Sequence, residues 1–168
     1  MQELHDLVAE VPDFPKPGIL FRDISPLLRL RFRATIAAVE ALFSEQEWRE
    51  VDAVAGIESR GFILAAALAD RRAKGFVLVR KKGKLPPPVV DVAYDLEYGT
   101  GVLEMQAGQG RVLLIDDVLA TGGTLTASTT LSRQAGYVVQ GIGVLIDIGI
   151  APGFRCEGHV PRIVLRYG

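Results

Sequence analysis

The residues best suited to chemistry in this chain lie in one short stretch, RVLLIDDVLATGGTL, which covers residues 111–125. Its first half is a continuous apolar run that ends in two adjacent carboxylates, Asp116 and Asp117. Such a run is typical of a strand buried on both faces, so the carboxylates are predicted to lie at its carboxyl end. The second half contains Gly122 and Gly123 and leads into a helix-like pattern that runs from Leu125 to Gln134. We therefore predict a strand, a tight loop and the N-terminus of a helix.

A loop of this kind is suited to hold a phosphate group. Its backbone N–H groups converge, the helix dipole adds partial positive charge, and Thr121 and Thr124 can donate hydroxyl hydrogen bonds. Asp116 and Asp117 would repel phosphate, so they are better suited to accept hydrogen bonds from vicinal sugar hydroxyls or to orient waters on Mg²⁺. The implied ligand is a sugar phosphate. The stretch has no Walker lysine after the glycines and no GxGxxG spacing, which argues against two other phosphate-binding loops.

Two further polar segments could bind anions. The turn Glu58-Ser59-Arg60-Gly61 follows the apolar pattern VDAVAGI and precedes an alanine-rich helix pattern, so it could hold a second phosphate, with Arg60 supplying a guanidinium fork. Four cations in residues 80–84 precede an alternating pattern that predicts a β-hairpin. This cationic segment is either a solvated loop or part of a flap that closes over an anionic ligand and excludes water.

The elements that position these residues alternate between strand and helix patterns. This order predicts an α/β fold with a mostly parallel central sheet, helices on both faces and right-handed connections. Ligands of such sheets bind outside the carboxyl ends of the strands, which would bring the polar segments to one crevice. Pro15, Pro17 and Pro26 predict extended backbone near the N-terminus, and apolar periodicity predicts one helix over residues 32–48. We expect a single domain of residues 1–168.

The composition indicates a globular protein without a nucleic-acid or membrane partner. The 168 residues are 49% hydrophobic, and 19 basic residues stand against 20 acidic ones, which leaves no basic field for nucleic acid. Cys156 is the single cysteine, so neither an internal disulfide nor a cysteine-based metal site is expected. The charged N-terminus does not resemble a signal peptide, and no apolar run approaches the length of a membrane span. We expect a soluble, cytoplasmic protein.

The stretch at residues 111–125 resembles the ribose-phosphate-binding signature of type I phosphoribosyltransferases. The resemblance implies their fold, with a flexible β-hairpin lid at about residues 81–105 and a small N-terminal hood at residues 1–30. It also implies that Asp116 and Asp117 contact the ribose 2′ and 3′ hydroxyls and hold Mg²⁺ through water. The contacts to the ribose 5-phosphate are assigned to Ala120, Thr121, Gly122, Gly123 and Thr124.

Other segments resemble the adenine-specific members of that family. DFPKPGILFRD is similar to their FPxPGxxFRD stretch, and RKKGKLP and LEYG are similar to their lid. The implied reaction is adenine plus 5-phosphoribosyl 1-diphosphate to AMP and diphosphate, a Mg²⁺-dependent glycosyl transfer of purine salvage carried out by a homodimer. The implied catalytic residues are Glu97 as acid or base and Arg60 and Lys84 at the leaving group. The diphosphate contacts are assigned to Glu58, Ser59, Arg60, Gly61, Arg80 and Lys84, with a cis Glu58–Ser59 bond, and the adenine contacts to Leu20, Phe21 and Arg22. From Asp147 onwards the stretch DIGIAPGF departs from the family pattern, and Ile148 or Ile150 is the candidate to cover the second face of the base.

Two alternatives stay open. The first is a non-enzymatic regulator that keeps the same fold and senses a nucleotide or phosphoribosyl diphosphate, because fold alone does not decide function. Such regulators often append a DNA-binding segment, and this chain has no basic face for one. The second is a phosphoribosyltransferase for hypoxanthine, xanthine or orotate, against which the FPKPGILFRD segment argues.

Overall fold

The computed structural model describes residues 2–96 and 99–167. Contacts between residues divide the chain into two compact units, Met1–Ala38 and Val39–Gly168. The organisation as one domain with a hood at residues 1–30 stays a prediction. Among the described residues, none of the helices combines the length and the apolar character that crossing a bilayer requires.

The first unit contains a short helix and a two-stranded sheet. Helix α1 covers Gln2–His5, and strands β1 (Ala9–Pro12) and β2 (Leu20–Asp23) pair antiparallel. Helix α2 (Ser25–Glu40) follows directly. The extended backbone predicted around Pro26 is wrong, because Pro26 lies in the first turn of α2, where a missing N–H breaks no intrahelical bond.

The single helix predicted over residues 32–48 is two helices. Helix α2 is interrupted at Arg31 (φ −138°, ψ 33°) and ends at Glu40. Helix α3 (Glu45–Glu50) starts anew at Ser44, whose side chain accepts the Glu47 N–H while the Glu47 side chain accepts the Ser44 N–H. This reciprocal capping box ends one apolar period and starts another.

The second unit is built on a seven-stranded sheet in the order β5-β6-β4-β3-β7-β8-β9. The five neighbouring strands β4, β3, β7, β8 and β9 are parallel, and β5 and β6 form an antiparallel hairpin at the edge. The prediction of a mostly parallel sheet with a hairpin is therefore confirmed. The strands are β3 (Ala53–Ile57), β4 (Gly75–Lys81), β5 (Val89–Leu96), β6 (Gly99–Gln106), β7 (Gly110–Leu119), β8 (Tyr137–Asp147) and β9 (Arg162–Arg166).

Two helices connect the parallel strands. Helix α4 (Arg60–Arg71) joins β3 to β4, and helix α5 (Gly123–Gln134) joins β7 to β8. These connections run in opposite directions across the sheet, so right-handed crossovers place α4 and α5 on opposite faces. All five residues of β3 are buried, as expected for a strand covered on both sides. The N-termini of both helices consequently follow the carboxyl ends of β3 and β7.

Strand β9 is tied to helix α3 by an ion pair whose contribution depends on pH. Arg162 donates to both oxygens of Glu47, with Nη2–Oε1 2.5 Å and Nη1–Oε2 2.9 Å, and its guanidinium lies 4.9 Å from the centre of the Phe43 ring. The hydrogen bonds from Arg162 lower the pKa of Glu47 from 4.5 to about 2. The stabilisation is therefore complete above pH 4.5 and is lost as the pH falls towards 2.

We expect Arg162→Met to lower the free energy of unfolding by about 1 kcal/mol at pH 7, a value discounted for the partial exposure of the pair. The difference from the unmodified protein should shrink as the pH falls from 4.5 towards 2. Urea unfolding at several pH values measures it. Arg155→Met, at an exposed arginine, is the matched control and should show no such trend. A constant difference down to the pKa of about 2 would contradict the assignment to Glu47.

Candidate active site

The adjacent carboxylates Asp116 and Asp117 lie in the last four residues of β7 and are almost completely buried, with 6% and 7% of their surfaces exposed. Burial raises the pKa of Asp116 well above its ordinary value, and the neighbouring Asp117 charge adds to that effect. Burial also raises the pKa of Asp117, although the Arg60 charge opposes it. A buried acidic pair of this kind is stabilised by groups that favour its ionised form, such as hydrogen-bond donors or a cation.

Helix α4 begins directly beside this acidic pair. Arg60 Nη2 lies 2.6 Å from Asp117 Oδ2. The residue predicted to bind diphosphate therefore forms an ion pair with a residue predicted to bind ribose. A Cβ atom on Gly61 would lie 2.9 Å from Asp116 Oδ1 and 3.0 Å from the Ile115 carbonyl oxygen. Only glycine therefore allows the first turn of α4 to approach β7 so closely. The structure thus brings the turn at residues 58–61 and the acidic pair together.

The glycine-rich loop forms the N-terminus of helix α5. Gly122 is the N-cap residue, has φ +88° and contributes no side-chain hydrogen bond to the first turn. The N–H groups of a first helical turn have no intrahelical acceptors and point outwards, so they suit an anion. A concavity of about 60 Å³ over this loop is lined by residues 118–125. The helix was predicted from Leu125 and begins two residues earlier, at Gly123.

The Phe154 ring packs directly against Gly122, a contact that the sequence did not predict. A Cβ atom on Gly122 would lie 2.1 Å from Phe154 Cε2 and 2.5 Å from Cδ2 and Cζ. Phe154 belongs to the segment between β8 and β9 and supports one side of the phosphate-loop backbone. Its only sequence signal is an aromatic residue in a proline- and glycine-containing turn, which does not specify a partner.

We expect Gly122→Ala to lower the free energy of unfolding by about 2–4 kcal/mol, because overpacking against Phe154 adds to positive-φ strain. Gly158→Ala is the matched control, since Gly158 has φ +84° and none of the described residues has an atom within 4 Å of the methyl carbon that alanine would add. It should cost about 1–2 kcal/mol from the backbone alone. In denaturant unfolding, the double variant Gly122→Ala/Phe154→Ala should lose less free energy of unfolding than the sum of the losses in the two single variants. Strict additivity would contradict the contact.

The turn before α4 is linked to the cationic segment after β4. The Glu58–Ser59 peptide bond is cis, as the resemblance implied. The Glu58 carboxylate accepts the Lys81 N–H at 2.9 Å and forms an ion pair with Arg80 (Nε–Oε2 3.3 Å). Burial alone would raise the pKa of Glu58, but these hydrogen bonds and charges lower it. The Glu58 side chain therefore holds Arg80 and Lys81, and a contact between this turn and an anion stays a prediction.

The Lys84 side chain is exposed, and its backbone is fixed on both sides. The Lys84 carbonyl oxygen accepts Arg80 Nη1–H at 3.1 Å, and the Lys84 N–H donates to Glu104 Oε1 at 2.6 Å. Glu104 lies in β6 and was not singled out in the sequence. Its signal was weak, because a single carboxylate between Leu103 and Met105 fits an ordinary alternating strand.

The remaining predicted residues lie elsewhere in the chain. In the first unit, Leu20 is 46% exposed, Phe21 makes an edge contact with Phe14 at 5.1 Å between ring centres, and Arg22 forms an ion pair with Glu10. In the second unit, Ile148 follows β8 and its N–H donates to the Leu119 carbonyl oxygen at 3.1 Å. The predicted acid or base, Glu97, lies outside the described residues.

The donor set at β7 fits a cation that is held through water. Within residues 2–96 and 99–167, no three His, Cys, Asp or Glu side chains are grouped to hold a metal by themselves. Asp116 and Asp117 supply two buried carboxylates beside the loop that is predicted to bind phosphate. Mg²⁺ commonly binds in this way, through one or two carboxylates together with water and substrate phosphates.

A mostly parallel sheet with an acidic pair and a glycine-capped helix N-terminus at its carboxyl edge is typical of the α/β proteins that bind sugar phosphates. The family model described as phosphoribosyl transferase domain matches residues 29–152, and the chain belongs to this family.

Relatives that match nearly the whole chain are adenine phosphoribosyltransferases. The one from Hydrogenovibrio crunogenus is 52% identical over 165 residues, which cover 98% of this chain and 96% of that protein. The crystal structure of the Rhodothermus marinus enzyme superposes with a TM-score of 0.85 at 43% identity, covering 98% of this chain and 97% of the other. That of the Saccharomyces cerevisiae enzyme, in complex with an imino-altritol bisphosphate and adenine, has a TM-score of 0.87 at 31% identity with the same coverage.

Proposed function

We propose that this chain is an adenine phosphoribosyltransferase, which converts adenine and 5-phosphoribosyl 1-diphosphate to AMP and diphosphate in purine salvage. The observation that carries the transfer is the buried pair Asp116 and Asp117 on the strand that leads into the glycine-capped N-terminus of α5. The adenine specificity is supported by relatives of that name at about half identity over nearly the whole chain. The fold and family are those of a transferase.

The protein first has to hold the ribose phosphate. In the proposal, the loop at residues 120–124 binds the 5-phosphate, and Asp116 and Asp117 accept hydrogen bonds from the ribose hydroxyls. Arg60 already forms an ion pair with Asp117. The ribose hydroxyls would therefore either replace Arg60 at the Asp117 carboxylate or bind beside it. Fixing the sugar in one orientation can lower the barrier by several kcal/mol, up to about 7–11 in ideal cases.

The diphosphate leaves C1′ of ribose as negative charge accumulates on it. Arg60, Arg80 and Lys84 are the proposed side chains that stabilise this charge. Mg²⁺, held by Asp116 and Asp117 through water, would supply further charge neutralisation to the diphosphate. Arg80 is preset by Glu58, since their ion pair holds the guanidinium beside the turn at residues 58–61.

The base and its proton are assigned by resemblance. The Phe21 ring is proposed to pack on the purine, main-chain groups of Leu20 and Arg22 are proposed to read the adenine edge, and Ile148 is proposed as a further adenine contact. Glu97 is proposed to transfer the purine proton. The yeast relative, crystallised with adenine, supports a base site of this kind in the family. A homodimer and a cytoplasmic location stay predictions.

A nucleobase panel tests the proposal. With phosphoribosyl diphosphate and Mg²⁺, AMP should form from adenine, and product from hypoxanthine, xanthine or orotate should be at least about 100-fold slower, because unpaired polar groups at a base site are costly. Chelation of Mg²⁺ should abolish turnover. Product from hypoxanthine without product from adenine would exclude the adenine specificity. Binding of phosphoribosyl diphosphate without any product would favour the non-enzymatic regulator.

A further inference from the structure

Glu104 is a buried carboxylate that lies beside the cationic loop, which we define as residues 80–85. Only 3% of its surface is exposed, although it belongs to a hairpin at the edge of the sheet. A carboxylate is costly to bury unless it accepts several hydrogen bonds. The burial of this carboxylate in an edge hairpin therefore has to be explained by its hydrogen-bond partners.

The explanation is a set of three backbone donors from consecutive residues. Glu104 Oε2 accepts the Gly83 N–H at 3.0 Å, and Oε1 accepts the N–H groups of Lys84 and Leu85, both at 2.6 Å. Gly83 has φ +83°, which lets the chain curl around the carboxylate. Burial alone would raise the pKa of Glu104, but the three hydrogen bonds lower it. The carboxylate is thus an internal anion that shapes the loop.

The same loop conformation fixes the cations proposed to meet diphosphate. With the Gly83 to Leu85 N–H groups turned inwards, the Lys84 side chain is exposed and its carbonyl oxygen accepts Arg80 Nη1–H at 3.1 Å. Arg80 in turn pairs with Glu58 at the turn before α4. An uninterrupted series of contacts therefore runs from Glu104 through Lys84 and Arg80 to the candidate diphosphate turn.

We propose that Glu104 is a positioning residue, which sets the cationic loop in the conformation that places Arg80 and Lys84 for the diphosphate of phosphoribosyl diphosphate. The inference rests on the proposed function for the identity of the ligand. Glu104 does not touch substrate in this role. It acts through the loop backbone, and so its loss should weaken the binding of phosphoribosyl diphosphate more than that of adenine.

The test is Glu104→Gln, which keeps the size but replaces one acceptor oxygen with an NH₂ group that faces backbone donors. We expect the KM for phosphoribosyl diphosphate to rise at least about tenfold, as for the loss of a charge-assisted hydrogen bond, while the KM for adenine changes less than about threefold. Calorimetric titration with Mg²⁺-diphosphate should show a similar rise in Kd. Glu104→Asp, which keeps the charge, should recover part of the affinity.

Gln106→Ala is the matched control, because Gln106 lies on the same strand and donates to the Pro86 carbonyl oxygen just beyond the cationic loop. It should leave the diphosphate Kd within about twofold. Equal rises in both KM values for Glu104→Gln, or an unchanged diphosphate Kd, would overturn the proposal. If Glu104→Gln does not fold, the ratio of the two KM values in Glu104→Asp decides in the same way. A wild-type protein that makes no AMP but binds diphosphate would reject the proposed function and still allow this test by titration.

Discussion

Asp117→Asn is expected to lower kcat/KM for phosphoribosyl diphosphate by about a thousandfold, which corresponds to about 4 kcal/mol. Two effects combine. The amide is a poorer acceptor for ribose hydroxyls than a carboxylate, and Arg60 loses the charge that lies 2.6 Å from its guanidinium. Steady-state kinetics with varied phosphoribosyl diphosphate at saturating adenine measure the change. The KM for adenine should move much less.

The matched control is Asp147→Asn. Asp147 is about as deeply buried as Asp117, with 8% of its surface exposed; it also lies near the carboxyl end of a strand that has neighbours on both sides, and it pairs with an arginine, Arg166 (Nη1–Oδ2 2.9 Å). Both variants should lose some stability, since each leaves an arginine without its carboxylate. Only Asp117→Asn should lose activity per folded molecule. Similar kinetic losses in both variants would show that the effect of Asp117 is structural.

Glu97→Gln is expected to lower kcat by about 10²–10⁴-fold, the usual contribution of a general acid or base. Glutamine has the same shape but cannot take up or release a proton. The affinity for phosphoribosyl diphosphate should stay within about threefold, because in the proposal Glu97 serves the purine and not the phosphates. Rapid-quench single turnovers measure the chemical step, and equilibrium titration measures the affinity. An unchanged single-turnover rate would remove Glu97 from the mechanism.

The acidic pair and the phosphate loop were predictable because their signals are local. An apolar strand pattern, two carboxylates, two glycines and a helix pattern follow one another within residues 111–134. Each constrains its neighbour, and the observed β7, loop and α5 agree with the prediction to within two residues at the helix start. The α/β order was predictable for the same reason, since each strand and helix carries its own periodicity.

The errors in the first helices have local causes that the periodicity conceals. Pro26 favours extended backbone in the prediction, yet proline is tolerated in the first turn of a helix. The capping pair Ser44 and Glu47 lies between Phe43 and Trp48, two apolar residues that the periodicity assigns to one helix, whereas the structure has two helices there. A capping box is a stronger boundary signal than unbroken periodicity.

The role of Glu104 could not be predicted, because it depends on contacts about 20 residues apart in the chain. The alternating pattern predicted the hairpin, and the position of Glu104 opposite Arg80 is set by the pairing of β6 with β4. Whether the carboxylate then faces water or a loop depends on how residues 82–85 fold over it. Sequence patterns determine elements more readily than they determine which loop covers which side chain.

The phosphate loop at Gly122 is supported by a residue, Phe154, that follows it in the chain and is synthesised after it. The ribosome adds Gly122 and the whole of α5, which ends at Gln134, before it adds Phe154. A chain truncated after α5 would therefore carry every residue predicted to bind the 5-phosphate but not the ring that supports the loop. Full affinity for the 5-phosphate should therefore arise only once the segment after β8 has folded back onto the loop at Gly122.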